Sequence, residues 1–110
     1  MIVDRQENIS TIIHEKGAVK ALVHSILQSY DTYKHDHIII NLTSLKTISL
    51  VDILEFLQLS NTHRKADKSF VVVSSTVDLD QMPDEIVVVP TLQEAYDIIE
   101  MEEIERDLGF

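Results

Sequence analysis

The chain has 110 residues, no cysteine and a formal net charge of −10. This length is typical of one domain that buries a core without a metal or disulfide staple, and the lack of cysteine excludes disulfide scaffolds, thiol catalysis and cysteine-type zinc sites. No apolar run reaches the ~18 residues of a membrane span, and the first residues, MIVDRQEN, lack the features of a signal peptide. We expect a cytoplasmic protein.

The negative charge is concentrated in the last third of the chain. Residues 1–76 carry eight acidic and eight basic side chains, whereas residues 77–110 carry eleven acids and one base, Arg106. Nucleic acid and anionic membranes are themselves negatively charged and are therefore poor partners for this segment. A basic protein partner fits it, and solubility is the alternative explanation.

Hydrophobic patterns predict a hairpin, a helix and a central strand. Residues 1–5 and 9–14 are short apolar segments separated by a polar interruption of hairpin length. After Gly17, apolar residues recur at helical spacing as far as Tyr30, which predicts an amphipathic helix. The run Ile38–Leu42 is apolar, mostly β-branched and too short for a helix, so we expect a strand in mid-sheet that is covered on both faces.

A polar loop and a capped helix follow that strand. Ser49-Leu50-Val51-Asp52 has the spacing of a capping box, in which the Ser49 hydroxyl accepts from the amide of Asp52. The helix should end in the polar cluster of residues 61–68. Its core-facing stripe is expected at Leu50, Ile53, Leu54, Leu57 and Asn61. Phe56 and Leu59 fall off this stripe, and either a neighbouring element or another chain covers them.

The last third of the chain predicts two strands and a helix. Residues 69–73 and 85–89 are short apolar runs typical of strands, and residues 78–83 predict a loop or a single helical turn. Thr91-Leu92-Gln93-Glu94 is an S/T-x-x-E capping box directly after a proline. The core-facing stripe of the helix that follows is expected at Leu92, Ala95, Tyr96 and Ile99.

The acidic tail, residues 100–110, leaves that stripe but keeps four large apolar residues among five acids. A segment meant only for solubility has little reason to carry them, so we expect the tail to dock. Its target is either the protein's own sheet or a second copy of the chain, or alternatively a basic groove on a different protein. The tail docking residues are Met101, Ile104, Leu108 and Phe110.

The element order β-β-α-β-α-β-β-α predicts an α/β fold in one domain, residues 1–110. Few side chains suit catalysis. His35-Asp36-His37 offers two metal ligands, but nothing completes a zinc site, and a solvated start of the strand is expected. His63-Arg64-Lys65 lies at a helix end, where cations complement the helix dipole. The tail carboxylates are expected on a solvated helix face. We therefore predict no enzyme activity and no cofactor.

Three stretches, HIIINLTSLKTISLVDILEFLQLS, Phe70–Val73 and VVVPTLQEAYDII, together resemble the STAS domain of bacterial anti-sigma factor antagonists in element order over most of the chain. The resemblance implies a STAS-like mixed β-sheet with helices packed mainly on one face. It also implies protein binding through the loop and helix start. The residues in question are Thr43, Ser44, Thr47, Ser49 and Leu50.

The resemblance also bears on phosphorylation. In that family the serine of an Asp-Ser pair at this helix start is phosphorylated by a partner kinase that doubles as the anti-sigma factor. The pair falls here on Ser49-Leu50, and the glycine usual after it is missing. We therefore expect a module without the switch, and Ser49 is the phosphorylated residue only if the alignment shifts by one position.

Three functions follow from this reading. The first is a non-enzymatic STAS-like interaction module whose partner is a kinase of the anti-sigma type, with a homodimer as a further possibility. The second is an accessory subunit of an RNA-processing enzyme, because the ending EMEEIERDLGF resembles small proteins that sometimes carry a ribonuclease Z label. The third is a small histidine-dependent metal enzyme.

Overall fold

A computed structural model describes residues 1–109, which fold into one five-stranded mixed sheet with helices on both faces. The strands are β1 (Ile2–Gln6), β2 (Ile9–Ile13), β3 (His37–Asn41), β4 (Phe70–Val73) and β5 (Val87–Val89). The helices are α1 (Val19–Gln28), α2 (Tyr30–Tyr33), α3 (Leu50–Leu54), α4 (Leu57–Lys65) and α5 (Leu92–Asp107), with a 3-10 turn at Leu79–Gln81. The predicted α/β class is confirmed.

The strands lie in the sheet in the same order as in the chain. β1 is antiparallel to β2, and β2, β3, β4 and β5 are parallel to one another. When consecutive parallel strands advance in one direction, right-handed crossovers place every connecting helix on the same face. This explains why α1, α3 and α4 share one core, whereas α5, which follows the last strand, packs on the opposite face.

The central strands are buried on both faces, as the sequence predicts. Side chains alternate along β3, so that Ile38 and Ile40 face the core of α1 and α4 while Ile39 faces α5. Along β4, Phe70 and Val71 divide in the same way between the two cores. Because both faces are covered, the sequence of these strands is a continuous apolar run.

The helix that begins after Ser49 is shorter than predicted. α3 ends at Leu54, and α4 continues only from Leu57, with Phe56 between them. α4 then ends at Lys65, within the polar cluster that was predicted to end the helix. Because the chain breaks between α3 and α4, the two helices do not share one continuous helical periodicity. A single core-facing stripe therefore cannot describe both.

The predicted core-facing stripe of this helix is right only in part, because Ile53 is buried and Leu57 packs against the core as predicted. Phe56 and Leu59 lie fully in the core, whereas Leu50 and Leu54 are exposed. The buried row continues through the fully buried His63, a polar side chain that an apolar pattern does not register. A contact of Phe56 and Leu59 with another chain is thereby excluded, because their side chains fill the interior of this one.

α5 is one continuous helix. The Thr91 hydroxyl accepts from the Glu94 amide at 3.2 Å, and Ala95 and Ile99 are buried as predicted. The acidic tail continues this helix as far as Asp107. Within residues 1–109, no helix combines the length and the apolar character needed to cross a membrane.

Candidate functional site

Polar residues gather at two opposite ends of the parallel sheet. At the carboxyl end, residues 43–49 connect β3 to α3 and form the strand-end loop. At the amino end, residues that precede β3 and β4 meet the last turns of α5. Ligands of open α/β sheets bind outside the carboxyl ends of the strands, so the strand-end loop is the first candidate site.

The strand-end loop is held in one conformation by its own chemistry. The Asn41 side-chain oxygen accepts from the Thr43 amide at 3.0 Å and from its hydroxyl at 2.7 Å, and the Leu45 amide donates to the Leu42 carbonyl at 3.0 Å. Ile48 is buried in the core and anchors the far side. The side chains left exposed are those of Thr43, Ser44, Lys46 and Thr47.

The predicted capping box of α3 is confirmed. The Asp52 amide donates to the Ser49 hydroxyl oxygen at 3.2 Å, and the Ser49 amide donates to the Asp52 carboxylate at 3.0 Å. Each residue satisfies a backbone donor of the other, which fixes the direction in which the helix leaves the loop. Ser49 itself is exposed at the surface.

The first helical turn after the cap exposes three apolar side chains. Leu50 is 41% exposed, Val51 66% and Leu54 40%. Leu54 lies four residues after Leu50 and three after Val51, and both spacings make neighbours on a helix surface, so Leu54 joins these residues into one patch, the α3 patch. Sequence reasoning found only part of this patch: it named Leu50 among the interaction residues, but it also placed Leu50 and Leu54 on the core-facing stripe and did not single out Val51. The signal was present, since five residues reading LVDIL cannot all face one side of a helix.

The amino end of the sheet holds a buried, internally paired cluster. Asp36 is buried and accepts two bonds from the largely exposed Arg5, at 2.7 and 3.0 Å, and one from the Ser10 hydroxyl at 2.9 Å. The hydrogen bonds of Arg5 lower the pKa of the Asp36 carboxyl, while burial opposes them. Asp36 therefore stays charged inside the fold because its partners compensate for the lost water.

His63 is the buried centre of this cluster. Its Nε2 lies 2.7 Å from the Asp36 carbonyl oxygen, which can only accept, so Nε2 carries the proton and Nδ1 accepts from the Tyr30 hydroxyl at 2.6 Å. Burial lowers the pKa of His63 to about 4. His63, Arg64 and Lys65 lie in the last turn of α4 as predicted, but the His63 ring is neutral and completely enclosed, so it adds no cation to the helix end.

His37 links the cluster to α5. Its Nδ1 accepts from the Ser69 amide at 2.9 Å, so the neutral ring carries its proton on Nε2, 2.9 Å from the Glu103 carboxylate. Burial lowers the pKa of His37. The Ser69 hydroxyl donates to Glu102 at 2.6 Å and accepts from Arg106 at 3.1 Å. These contacts hold the last turns of α5 against the sheet.

Two further expectations are corrected here. Asp36 and His37 do not form a solvated start of β3, because both are buried. Of the tail carboxylates, Glu100, Glu105 and Asp107 are exposed as expected, whereas Glu102 and Glu103 are half-buried and bind groups of the sheet end. The partners are more than 25 residues apart in the chain, so no local sequence pattern predicts these contacts.

The cluster is arranged for structure. A general base needs a free lone pair aimed at a substrate, and both nitrogens of His37 and of His63 are already engaged within the fold. In the part of the chain that the structure describes, no three His, Asp or Glu side chains converge as a metal site. The contacts of this end therefore satisfy both ring nitrogens of each histidine and pair the buried Asp36 carboxylate with Arg5.

The apolar side chains of the acidic tail lie away from the contact between the last turns of α5 and the sheet. Met101, Ile104 and Leu108 are exposed, and Phe110 lies outside the described residues. The tail thus touches its own sheet through its polar side, while docking by its apolar residues stays a prediction. No protein-family model matches the chain, and a comparison with curated proteins finds no match either.

Proposed function

We propose that this chain is a non-enzymatic, STAS-like cytoplasmic module that binds another protein through the strand-end loop and the α3 patch. The observation that carries the proposal is the α3 patch itself. Leu50, Val51 and Leu54 remain exposed on a helix whose start is fixed by the capping box with Ser49. Apolar side chains held on a rigid frame and left in water favour burial against a partner.

The fold supports the same proposal. The order of elements and the parallel run from β2 to β5 agree with the resemblance to STAS domains, whose partners bind at the corresponding loop and helix start. The expected partner is a protein, such as a kinase of the anti-sigma type, and not nucleic acid or a membrane. The proposal includes neither a cofactor nor the serine phospho-switch.

The test replaces the most exposed patch residue. Val51→Glu should abolish co-purification of the partner from native cells, because a carboxylate cannot be desolvated in an apolar interface without a compensating charge. The matched control is Leu27→Glu, an exposed leucine of α1 that lies outside the patch. Both variants should keep the far-ultraviolet circular dichroism and the melting temperature of the original protein.

The identity of the captured protein separates the candidate functions. A kinase or sigma-regulatory protein lost with Val51→Glu and kept with Leu27→Glu supports the proposal. An RNA-processing nuclease with the same dependence supports the accessory-subunit alternative. If Val51→Glu keeps every partner, the α3 patch is not the binding surface, and the proposal is wrong. Intact-mass measurement on the native protein tests separately whether Ser49 carries a phosphate.

A further inference from the structure

A second surface, independent of the strand-end loop, lies along the open edge of β5. A groove of about 370 Å³ runs there between α5 and the 3-10 turn. Its apolar lining includes Leu79 on one side and Ile98 and Met101 on the other, with Val88 of the strand among them. Leu79 is 43% exposed and Met101 49% exposed, so the walls are open to solvent.

The backbone at this groove is available for pairing. In the part of the chain that the structure describes, β5 pairs with β4 alone. The Val89 carbonyl accepts from the Ser74 amide at 3.0 Å, on the β4 side. Because backbone groups alternate along a strand, the N–H and C=O of Val88 point to the open edge. An extended peptide that lies beside β5 can bond to both groups, as in strand addition.

The charge around the groove selects the peptide. Glu94 and Asp97 line it directly. The turn at residues 78–81 and the helical segment 92–98, which bound the groove, carry four acidic side chains and no Lys, Arg or His. A second copy of the chain would bring one acidic rim against another, which like-charge repulsion opposes. A basic segment instead carries the opposite charge and is attracted to the acidic rim.

We infer that the β5 groove binds an extended, basic segment of a different protein by strand addition. Main-chain bonds to Val88 hold the segment in register. Its apolar side chains contact Met101, Ile98 and Leu79, and its lysine or arginine side chains face Glu94 and Asp97. This assigns Met101, one of the predicted tail docking residues, to a defined surface.

The test measures binding of labelled peptides by fluorescence anisotropy. The probe is an extended peptide that alternates lysine with valine, and the two controls are the same peptide with glutamate for lysine and with its central valine N-methylated. The lysine peptide should bind most tightly, and binding should weaken as salt rises. The N-methylated peptide should bind more weakly because it lacks the main-chain donor that strand addition requires.

Matched variants locate the site. Neutralising the groove acids with Glu94→Gln and Asp97→Asn should weaken binding about fivefold, whereas Glu100→Gln with Glu105→Gln, the same charge change outside the groove, should weaken it by less than about twofold. Met101→Gln should weaken binding more than Ile104→Gln on the same helix. All four positions of charge change are exposed, and circular dichroism checks that each variant is folded.

Three results would overturn the inference. Equal losses from the two pairs of charge variants would mean general electrostatic attraction. An undiminished affinity of the N-methylated peptide would exclude strand addition. A dimer in sedimentation that Met101→Gln dissolves would show that a second copy occupies the groove.

Discussion

The two ends of the parallel sheet treat polar and apolar groups in opposite ways. At the amino end, Asp36, His37 and His63 are buried, and other groups of the same chain satisfy their hydrogen bonds. At the carboxyl end, the α3 patch leaves Val51 two-thirds exposed beside a loop that is fixed by its own turns. Both ends are ordered, but the carboxyl end leaves a cluster of apolar side chains exposed to water.

This difference separates a cluster that contributes to the fold from the proposed binding surface. Titratable residues in a cluster are often functional, but both ring nitrogens of His37 and His63 and the Asp36 carboxylate bond within the fold and so contribute to it. Exposed apolar side chains on an ordered turn have no such internal role. Mutations at the amino end should therefore change stability, and mutations at the α3 patch should change binding.

The largest effect on stability is expected at His63. His63→Ala leaves a cavity in the core and removes the partners of the Asp36 carbonyl and the Tyr30 hydroxyl. The free energy of unfolding should fall by roughly 4 kcal/mol, measured by urea denaturation. The control is His35→Ala, an exposed histidine next to the cluster, which should stay within about 0.5 kcal/mol of the original. Equal effects would contradict a structural role for His63.

The second prediction is a loss of stability in mild acid. His63 has a pKa of about 4 in the fold, against 6.5 ordinarily. Between these values the unfolded chain binds a proton that the folded chain does not, so the free energy of unfolding falls as pH falls from about 6.5 towards 4. The loss due to His63 should approach about 3 kcal/mol. Burial lowers the pKa of His37 as well, which acts in the same direction.

Denaturation midpoints measured across this pH range provide the check. His63→Gln should flatten the curve, because glutamine can still donate to the Asp36 carbonyl but takes up no proton. The pKa of Asp36 is lowered in the fold, so the stabilisation from its charged carboxylate is lost only when the pH falls through a still more acidic range. A curve that is already flat in the original protein would mean that His63 is not neutral and buried.

The third prediction concerns the acidic tail. Deleting residues 100–110 removes Glu102, Glu103 and Arg106, which bond to the amino end of the sheet, so the free energy of unfolding should fall by about 2 kcal/mol. Deleting only residues 108–110 keeps these contacts and should leave the melting temperature almost unchanged. If the two truncations behave alike, the polar contacts of the tail do not stabilise the domain.

What the sequence reveals depends on how far apart the interacting residues lie. The capping box joins Ser49 to Asp52, and the hairpin and strands follow from runs of a few residues, so local patterns predict them. His63 meets Tyr30 across 33 residues, and Ser69 meets Glu102 across the same separation. Such contacts depend on the assembled sheet, and no spacing rule reports them.

The wrong helical stripe has a related cause. Hydrophobic periodicity assumes that buried residues are apolar, but α4 buries Ser60 and His63. It also assumes one uninterrupted helix, whereas the chain breaks near Phe56. Leu50 and Leu54 of the exposed α3 patch were therefore placed on the core-facing stripe, and the buried Phe56 and Leu59 were left off it. Binding surfaces made of apolar residues are especially open to this error, because by composition they resemble core.

The smallest effect is expected at the carboxyl end, from Ser49→Ala. The substitution removes the hydroxyl that accepts from the Asp52 amide, and loss of such a cap costs about 1 kcal/mol. Ser49→Thr keeps an acceptor at the same position and should recover most of the loss in urea denaturation. Because the cap also sets the direction of the α3 patch, Ser49→Ala should weaken partner binding more than an equally destabilising change at the amino end. Equal binding losses would show that the partner senses only global stability.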